Sequence, residues 1–600
     1  MAPVLLAWVW LFIPGFNFAT EEVDLIASII DEYYTQRQVP LLIQGENQDV
    51  VDGVIGRLRF SRLIQINSNL IGYQSWKYVV TFIESYSNFQ RIAELYSSQQ
   101  FNHFGYYTVI YRNVSESEIQ LTFRSFWQLQ ITKAVLIVSN DDNSPLLYSY
   151  TPYSRNKCGT PTIHSFELPN RTTPLFQAHF TDFHECPLRF GTFESLPFIH
   201  FTPTSTGDDR RTAVAGFEGE LVSTIAGKLS FRIDAVVPSD GIQWGVARRN
   251  GSTGLMKILQ DGTVHFGAGC LGLSADRNEI LQPGTSHYAS RVVFAVPDGH
   301  PYSAFEKLFR PYERSSWIAI GITVCVAGAT ILLLSLAPRT VRQFIYGTDN
   351  QVPFYNTISI FFIGSVHRTP RRNFARTLLI LWMIFCLEIR TVYQGLLFKY
   401  LRSDSNHEPV DTLAGIERSE LYYHMLQISE RFFQNNTRVL SRVRHIPQGN
   451  DSLNAAMDAI AIRRLADGVV MVTTEHIAFH NKHRLDKGFL RSTRDYVVSL
   501  PIVIYYPKRS FLVPEFNRVI GQVQTAGLMS YWVRQYGNYD FFPKETRDQL
   551  RPVPLNIEQL SGCYQVCAVL WMVCCGVFLL ELWSRKWHRL RIVLDFLAHQ

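Results

Sequence analysis

Six hundred residues are too many for one domain, and about four would be ordinary. Lys and Arg number 57 against 51 Asp and Glu, a net charge of +6. The excess sits beside apolar runs, in Arg371, Arg372 and Arg376 and in Arg585, Lys586, Arg589 and Arg591, which fits cytoplasmic-side anchoring. No basic stripe interleaved with aromatics supports a nucleic-acid partner.

The first twenty residues, MAPVLLAWVWLFIPGFNFAT, have an apolar core from Val4 to Pro14 and small residues around Ala19 and Thr20. They read as a signal peptide (1–20), or as an uncleaved anchor because the start lacks Lys and Arg. Residues 21–195 form the next block. EVDLIASIIDEYY puts Val23, Ile26, Ile29, Ile30 and Tyr33 on one helical face, and KAVLIVSN reads as a buried strand ending at a turn. Cys158 and Cys186 are the disulfide candidate of this external α/β domain. Of the nine cysteines, none sits in a CxxC array with histidines, so no metal site or cofactor is expected. Cys563, Cys567, Cys574 and Cys575 read as packing thiols or lipidation sites.

From about Phe201 the texture becomes alternating α/β. Helices are expected at Glu218–Leu229 and Gly254–Gln260, and strands at Phe231–Val236, into Phe266, and in SRVVFAVP. The alternation is cut at 317 and resumes after 401. There ERSELYYHMLQISERFFQNN and NAAMDAIAIRRLADG read as helices, GVVMVTT as a strand and YVVSLPIVIYYP as strand-rich. EFNRVIGQVQTAGLMSYWVRQYG reads as one long amphipathic helix.

Between the blocks, Trp317–Leu336 is twenty uncharged residues, about 30 Å as a helix, enough to cross a bilayer. The run at 352–366 is too short to cross as a helix. It is a re-entrant or interfacial piece, or a strand of a buried core. Thr377–Phe398 is long enough to span but carries Glu388 and Arg390, charges that must face protein or water. Cys563–Leu582 is a third span, and 583–600 a basic tail. Placing the amino end outside puts the arginines near 339–342, 368–372 and 585–591 inside. The same placement puts the sequons at Asn113, Asn170, Asn250, Asn435 and Asn450 outside. Two α/β half-blocks, 196–312 and 402–560, thus share one side of the membrane with a pore candidate (313–401) between them. A cleft between such lobes is a natural small-molecule site, and its closure could gate the spans.

This interrupted clamshell resembles the ionotropic glutamate receptors, and more closely their divergent arthropod relatives, the chemosensory ionotropic receptors. The resemblance runs over roughly 201–583. It is carried by GFEGELVSTIAGKLSF, NGSTGLMKILQDGTVHFGAG, RTVYQGLLF, ISERFF, DGVVMVTTEHIAF and AGLMSYWVRQY, whose order, spacing and topology match that family. It implies a multi-pass membrane protein with a bilobed α/β, periplasmic-binding-protein-like extracellular domain. An ion-channel module of three transmembrane helices and a re-entrant hairpin would interrupt that domain. In GCLGLSADR the resemblance puts Arg277 where the family clamps a ligand carboxylate, with Ser274 beside it; a surface or interlobe salt-bridge arginine is the bland reading. Cys270 and Gly272 depart from the family's proline and threonine. Thr473 falls where the family has an amine-binding acid and cannot neutralise an ammonium. Glu475, two residues on and on the same strand face, is a displaced acid or a solvated charge. The filter tip corresponds to Phe362, Ile363, Gly364 and Ser365, with Phe362 and Ile363 replacing polar filter residues, and Gln394 lies in the gate sequence. No paired-acid, Ser/His or metal constellation suggests an enzyme, and His287 and His476 read as satisfied or surface groups. The implied function is a chemosensory, ligand-gated cation-channel subunit of the plasma membrane in a sensory dendrite or cilium. It would detect a tastant or odorant, not glutamate specifically, in a tetramer with co-receptor subunits. The alternative is a non-conducting binding or auxiliary subunit.

Overall fold

The computed structural model describes residues 20–584 except 35–39, 46–47, 60–63, 67–74, 98–100, 113, 141–142, 156, 167–175, 177–179, 204–211, 298, 300–301, 347–352, 363–368, 403–406, 408, 448, 450, 466 and 543–555. The signal segment before Thr20, Ile363, Gly364 and Ser365, the sequons at Asn113, Asn170 and Asn450, and the tail from 585 lie outside the described residues. The chain divides into two compact units, 1–297 with 411–542, and 298–410 with 543–600.

In the first unit, the amino-terminal part is a seven-stranded sheet. Its order is Ile64–Ile66, Leu41–Gln44, Trp76–Ile83, Phe101–Arg112, Ala134–Asn140, Asn143–Ser154, Lys157–Phe166. The first five strands are parallel and the last two antiparallel. The parallel strands read as continuous apolar runs because helices cover both faces. Thr20–Tyr33 and Gln48–Arg57 bury Val23, Ile26, Ile30, Val51 and Val54 against Ile43, Val80 and Ile137. On the opposite face Tyr86–Tyr96 and Glu116–Gln128 bury Phe89, Tyr96, Phe123 and Phe126 against Val79, Val109 and Leu136. The second of these helices begins with a capping box in which Ser115 and Glu118 satisfy each other's backbone N–H. Cys158 and Cys186 are disulfide-bonded, with Cα atoms 5.6 Å apart, tying the last strand to the residue before the next sheet.

Two further sheets make two lobes. The first runs Arg232–Val236, Pro187–Gly191, Phe266–Gly267, Tyr505–Tyr506, Gln282–Pro283. The second runs Val443–His445, Tyr422–Met425, Gly468–Thr473, Tyr288–Pro297, Leu490–Ser492, and Val498–Ile502 also pairs with Tyr288–Pro297. The division at 196–312 and 402–560 is therefore not how the strands pair. Tyr288–Pro297, expected in the first lobe, is a central strand of the second. Tyr505–Tyr506 and the helices after it return to the first lobe, whose sheet begins at Pro187. The return is held by Phe516, stacked on Phe231 at 5.7 Å and edge-on to Phe266 at 5.0 Å. The helix Leu512–Thr525 buries its apolar face with that of Phe217–Leu229.

Two expected helices are corrected. The segment from Glu417 to Asn436 is a short helix, Leu413–Arg418, then strand Tyr422–Met425 and a 3-10 turn, Gln427–Phe433. Tyr423 and Met425 are buried while Tyr422 faces out, a period of two that pairing on both sides rewards over helix propensity. The long amphipathic helix is two, Leu512–Thr525 and Leu528–Tyr536, broken at Gly527 where φ is 72°.

The second unit is helical: Ala304–Phe309, Arg314–Ser335, Arg339–Tyr346, Pro353–Phe361, Asn373–Arg402 and Ile557–Ser584. Among the described residues, Arg314–Ser335 and Ile557–Leu580 are long and apolar enough to cross a membrane, and the most apolar stretch of each is not buried in protein. Asn373–Arg402 has the length but carries Glu388 and Arg390, so its crossing is not established by composition. Within the short run at 352–366, Pro353–Phe361 is a helix, not a strand, and Phe362 is exposed. Glu388 and Gln394 are exposed and Arg390 half-buried. The phenol of Tyr312 donates to the carbonyl of Ile389 at 2.5 Å and that of Tyr393 to Leu308 at 3.1 Å, pinning the approach to the helix Arg314–Ser335 to the long helix.

Candidate ligand-binding cleft

A cavity of about 300 Å³ lies between the lobes. The first lobe lines it with Glu194, Ser195, Leu196, Gln243 and Trp244; the second with Gly449, Asp451, Leu453, Asn454, His476 and Arg484. Glu194 to Leu196 leave the strand Pro187–Gly191 in a tight turn closed by the Ser195 and Ile199 backbones. Trp244 is held in a loop by its indole N–H, which donates to the Gly269 carbonyl at 3.0 Å, and by edge-on contact with Phe193 at 4.8 Å. In the second lobe, Asn454 donates to Asp451 at 2.7 Å. Arg484 pairs with Asp458 at 2.8 Å and with Asp451 at 3.6 Å. His476 bonds through Nδ1 to the Thr473 hydroxyl at 2.7 Å.

None of Arg277, Ser274, Thr473 and Glu475 lines this cavity. Arg277 is 4% exposed, donates from Nη1 to the Gly272 carbonyl at 2.9 Å and lies 6.0 Å from the Tyr505 ring centre. Burial, reinforced by the nearby Arg431 charge, lowers its pKa to about 10. The Ser274 hydroxyl caps the helix Ala275–Ile280 by accepting the Arg277 N–H. Thr473 reaches the cavity only through its bond to His476. Glu475 is neither a solvated charge nor on a strand. It is 1% exposed on the helix Thr474–His483 and accepts from the Tyr288 phenol and Thr474 hydroxyl, each at 2.8 Å, and from the Ser290 hydroxyl. A carboxylate so surrounded costs little to bury, because donors replace its water.

His287 is no surface group either. It is buried and its Nε2 meets Glu218 at 2.8 Å, while Nδ1 has no partner among the described residues. The other Glu218 oxygen accepts the Cys270 N–H at 2.7 Å. Burial, with Glu218 and Glu475 nearby, pushes the Cys270 thiol well above its usual pKa. Removing one member of a buried pair leaves the other uncompensated, so Glu218→Ala should cost about 3 kcal/mol. Urea unfolding of the purified chain measures this, and a loss under about 1 kcal/mol would show that the pair carries no such weight.

Acid should weaken the fold. Burial lowers the pKa of His103, His265 and His476 each to about 4, so all three are neutral at physiological pH. Their folded pKa values lie below the unfolded one, so the unfolded chain takes up protons first. The stability is fully present above about pH 6.5 and is lost as pH falls toward 4, on the order of 3 kcal/mol at the fully buried His476 alone. Melting temperature should therefore drop between pH 7 and 4.5; a flat or rising profile would contradict it.

The cavity residues carry almost no sequence signal. Trp244 and Gly245 sit in an aperiodic loop and Asp451 in a turn, so neither periodicity nor motif marks them. Among the described residues no group of three or more His, Cys, Asp or Glu could hold a metal ion.

Fold and cleft together define a bilobed, sheet-rich domain of the ligand-binding kind, with two candidate membrane-spanning helices. Comparison with known proteins agrees. A family model described as "Putative ionotropic receptor, ligand binding domain" matches residues 28–182, the amino-terminal domain and not the lobes that carry the motif resemblance. The chain is 23% identical over 313 residues to the ionotropic glutamate receptor NMDA 3B of Mus musculus, covering 50% of this chain and 30% of that protein. Its counterpart from Rattus norvegicus is 22% identical over 300 residues, covering 48% and 28%. The chain thus spans less than a third of the length of these relatives. It is distantly related to the ionotropic receptor and ionotropic glutamate receptor superfamily. That relationship is to a receptor domain, not to an enzyme.

Proposed function

We propose that the chain is a subunit of a ligand-gated cation channel in which the two lobes close on a small external molecule held in the Trp244 cavity. The observation that carries this reading is the lining of one cavity by side chains of both lobes. A ligand touching both sides binds the closed form better than the open one and so shifts the equilibrium toward closure. The chain passes from this unit into the helical one after residues 297 and 542 and returns at 411, so closure can load the helices through these connections. Three spans are proposed, Asn373–Arg402 being the third and lining the pore. Glu388, Arg390 and Gln394 on it then face water or neighbouring subunits, which supports assembly with related chains as a tetramer in the plasma membrane. A chemosensory role, with a tastant or odorant as ligand and co-receptor partners in a sensory dendrite or cilium, rests on the motif resemblance. Arg277 and Ser274 act here as positioning residues for the loop from Gly272.

The test is to express the chain with candidate partner subunits and record currents while screening amines, acids, sugars and salts. Trp244→Ala should abolish the response while surface expression persists; an unaltered response would sink the cavity as the trigger. The exposed Phe362 at the proposed filter tip favours a second reading, a non-conducting auxiliary subunit. Phe362→Gln should change ion permeability if this chain lines the pore, and permeability indifferent to it would favour the auxiliary role. Asn250 and Asn435 are exposed, as glycan acceptors must be. Enzymatic deglycosylation should shift the mobility of the chain, and by less in an Asn250→Gln, Asn435→Gln variant.

A further inference from the structure

The charges around the cavity say what kind of molecule it holds, given the proposed binding between the lobes. Three formal charges line it: the carboxylates of Glu194 and Asp451 and the guanidinium of Arg484. The guanidinium is already engaged, at 2.8 Å by Asp458, which is not a lining residue, and at 3.6 Å by Asp451. Arg484 with Asp451 and Asp458 therefore carries a net negative charge. Glu194 adds a second, shared with His200, whose Nδ1 lies 2.7 Å from Oε1. The other Glu194 oxygen has no hydrogen-bond partner among the described residues. His476 contributes no positive charge: it is 4% exposed, Nδ1 is tied to Thr473, and burial keeps the ring neutral. Arg277, the cation expected to clamp a carboxylate, is absent from the lining and spends a donor on Gly272.

A carboxylate entering this space would meet two carboxylates and no uncommitted cation. An ammonium would meet two acceptors and the indole of Trp244, which its bond to Gly269 and its contact with Phe193 hold in place. Aromatic faces attract cations, tryptophan most strongly. Leu196 and Leu453 supply apolar wall for a hydrocarbon body. We propose that the Trp244 cavity selects small organic amines, bound as ammonium ions, and rejects carboxylates of the same skeleton.

Charge-swapped pairs of probes test this directly. The purified full chain in lipid nanodiscs is titrated with phenethylamine and 3-phenylpropanoate, and with isoamylamine and isovalerate, following the melting temperature and the heat of binding. The amines should bind saturably and the acids not. Glu194→Gln and Asp451→Asn should each weaken amine binding about tenfold or more, the loss of one close charge partner. Unliganded melting curves of both variants identify any that fail to fold, and Glu194→Asp should retain part of the affinity. Binding of an acid as tightly as its amine, no binding by either amine, or amine binding indifferent to both carboxylate substitutions overturns the proposal. If an acid binds and Trp244→Ala abolishes it, the ligand class is wrong while binding in the cleft stands. If Trp244→Ala leaves amine binding intact, the cleft itself is wrong.

Discussion

Phe511→Ala is expected to destabilise the first unit by about 4 kcal/mol and to loosen the amino-terminal domain from the first lobe. Phe511 is 5% exposed and sits among four aromatic rings. Trp127 stands edge-on at 5.1 Å, Tyr153 is stacked at 5.9 Å, and Phe180 and Phe183 lie at 5.8 and 6.3 Å. Trp127 ends a helix of the amino-terminal domain and Tyr153 lies on its sixth strand, whereas Phe511 introduces the helix Leu512–Thr525 of the first lobe. One core cluster thus runs through both domains. Truncation to alanine removes the ring and leaves a cavity that rigid neighbours cannot fill, which is why such losses exceed the transfer energy alone. The Cys158–Cys186 bridge spans the same seam over 28 residues and limits separation in the unfolded chain by about 3 kcal/mol. Phe511→Ala with the bridge intact should therefore lower the melting temperature, and with Cys158→Ser added should split the unfolding into two transitions. A single unshifted transition in the double variant would refute the shared core.

Gly245→Ala should eliminate ligand binding by destroying the loop that presents Trp244. Gly245 has φ 70°, and a Cβ there would lie 1.8 Å from the Thr253 carbonyl oxygen and 2.5 Å from its carbon. These are backbone atoms and cannot swing aside. The loop is closed on the segment they belong to: Thr253 N–H donates to Val246 O at 3.2 Å and Leu255 N–H to Gln243 O at 3.0 Å. Asp240 also accepts the Gly254 N–H at 2.7 Å. Relief of the clash must pull these apart, at a cost on the order of 3 kcal/mol, and release the indole from Gly269. Tryptophan emission should shift to the red and any ligand-induced rise in melting temperature should vanish. Retention of that rise in Gly245→Ala would show that the Trp244 loop is not part of the site.

Much of the local structure was legible without coordinates. Gly254–Gln260 stands where its glycine turns put it, and Gly468–Thr473 forms a strand because GVVMVT is apolar, β-branched and short. The helices at Arg314–Ser335 and Ile557–Ser584, both candidates to cross a membrane, follow from run length alone. The cleft was legible as a consequence of two α/β blocks, but its lining was not. Trp244, Glu194 and Asp451 come from loops and turns whose position depends on where three sheets pack.

What the sequence by itself determined is therefore what depends on neighbours a few residues away: most helix periods, apolar lengths and the spacing of cysteines. Tertiary structure alone decided the strand partners and the fate of buried charge. Tyr288–Pro297 pairs with strands that begin at Gly468 and Val498, a choice its own apolar pattern does not encode. Glu475 had the composition of a solvated residue. It is buried because Tyr288 and Ser290, 187 and 185 residues earlier, donate to it. Hydrogen bonds and ion pairs act over about 3 Å in space and are indifferent to separation along the chain. A carboxylate's burial is thus settled by donors that only the folded chain brings to it.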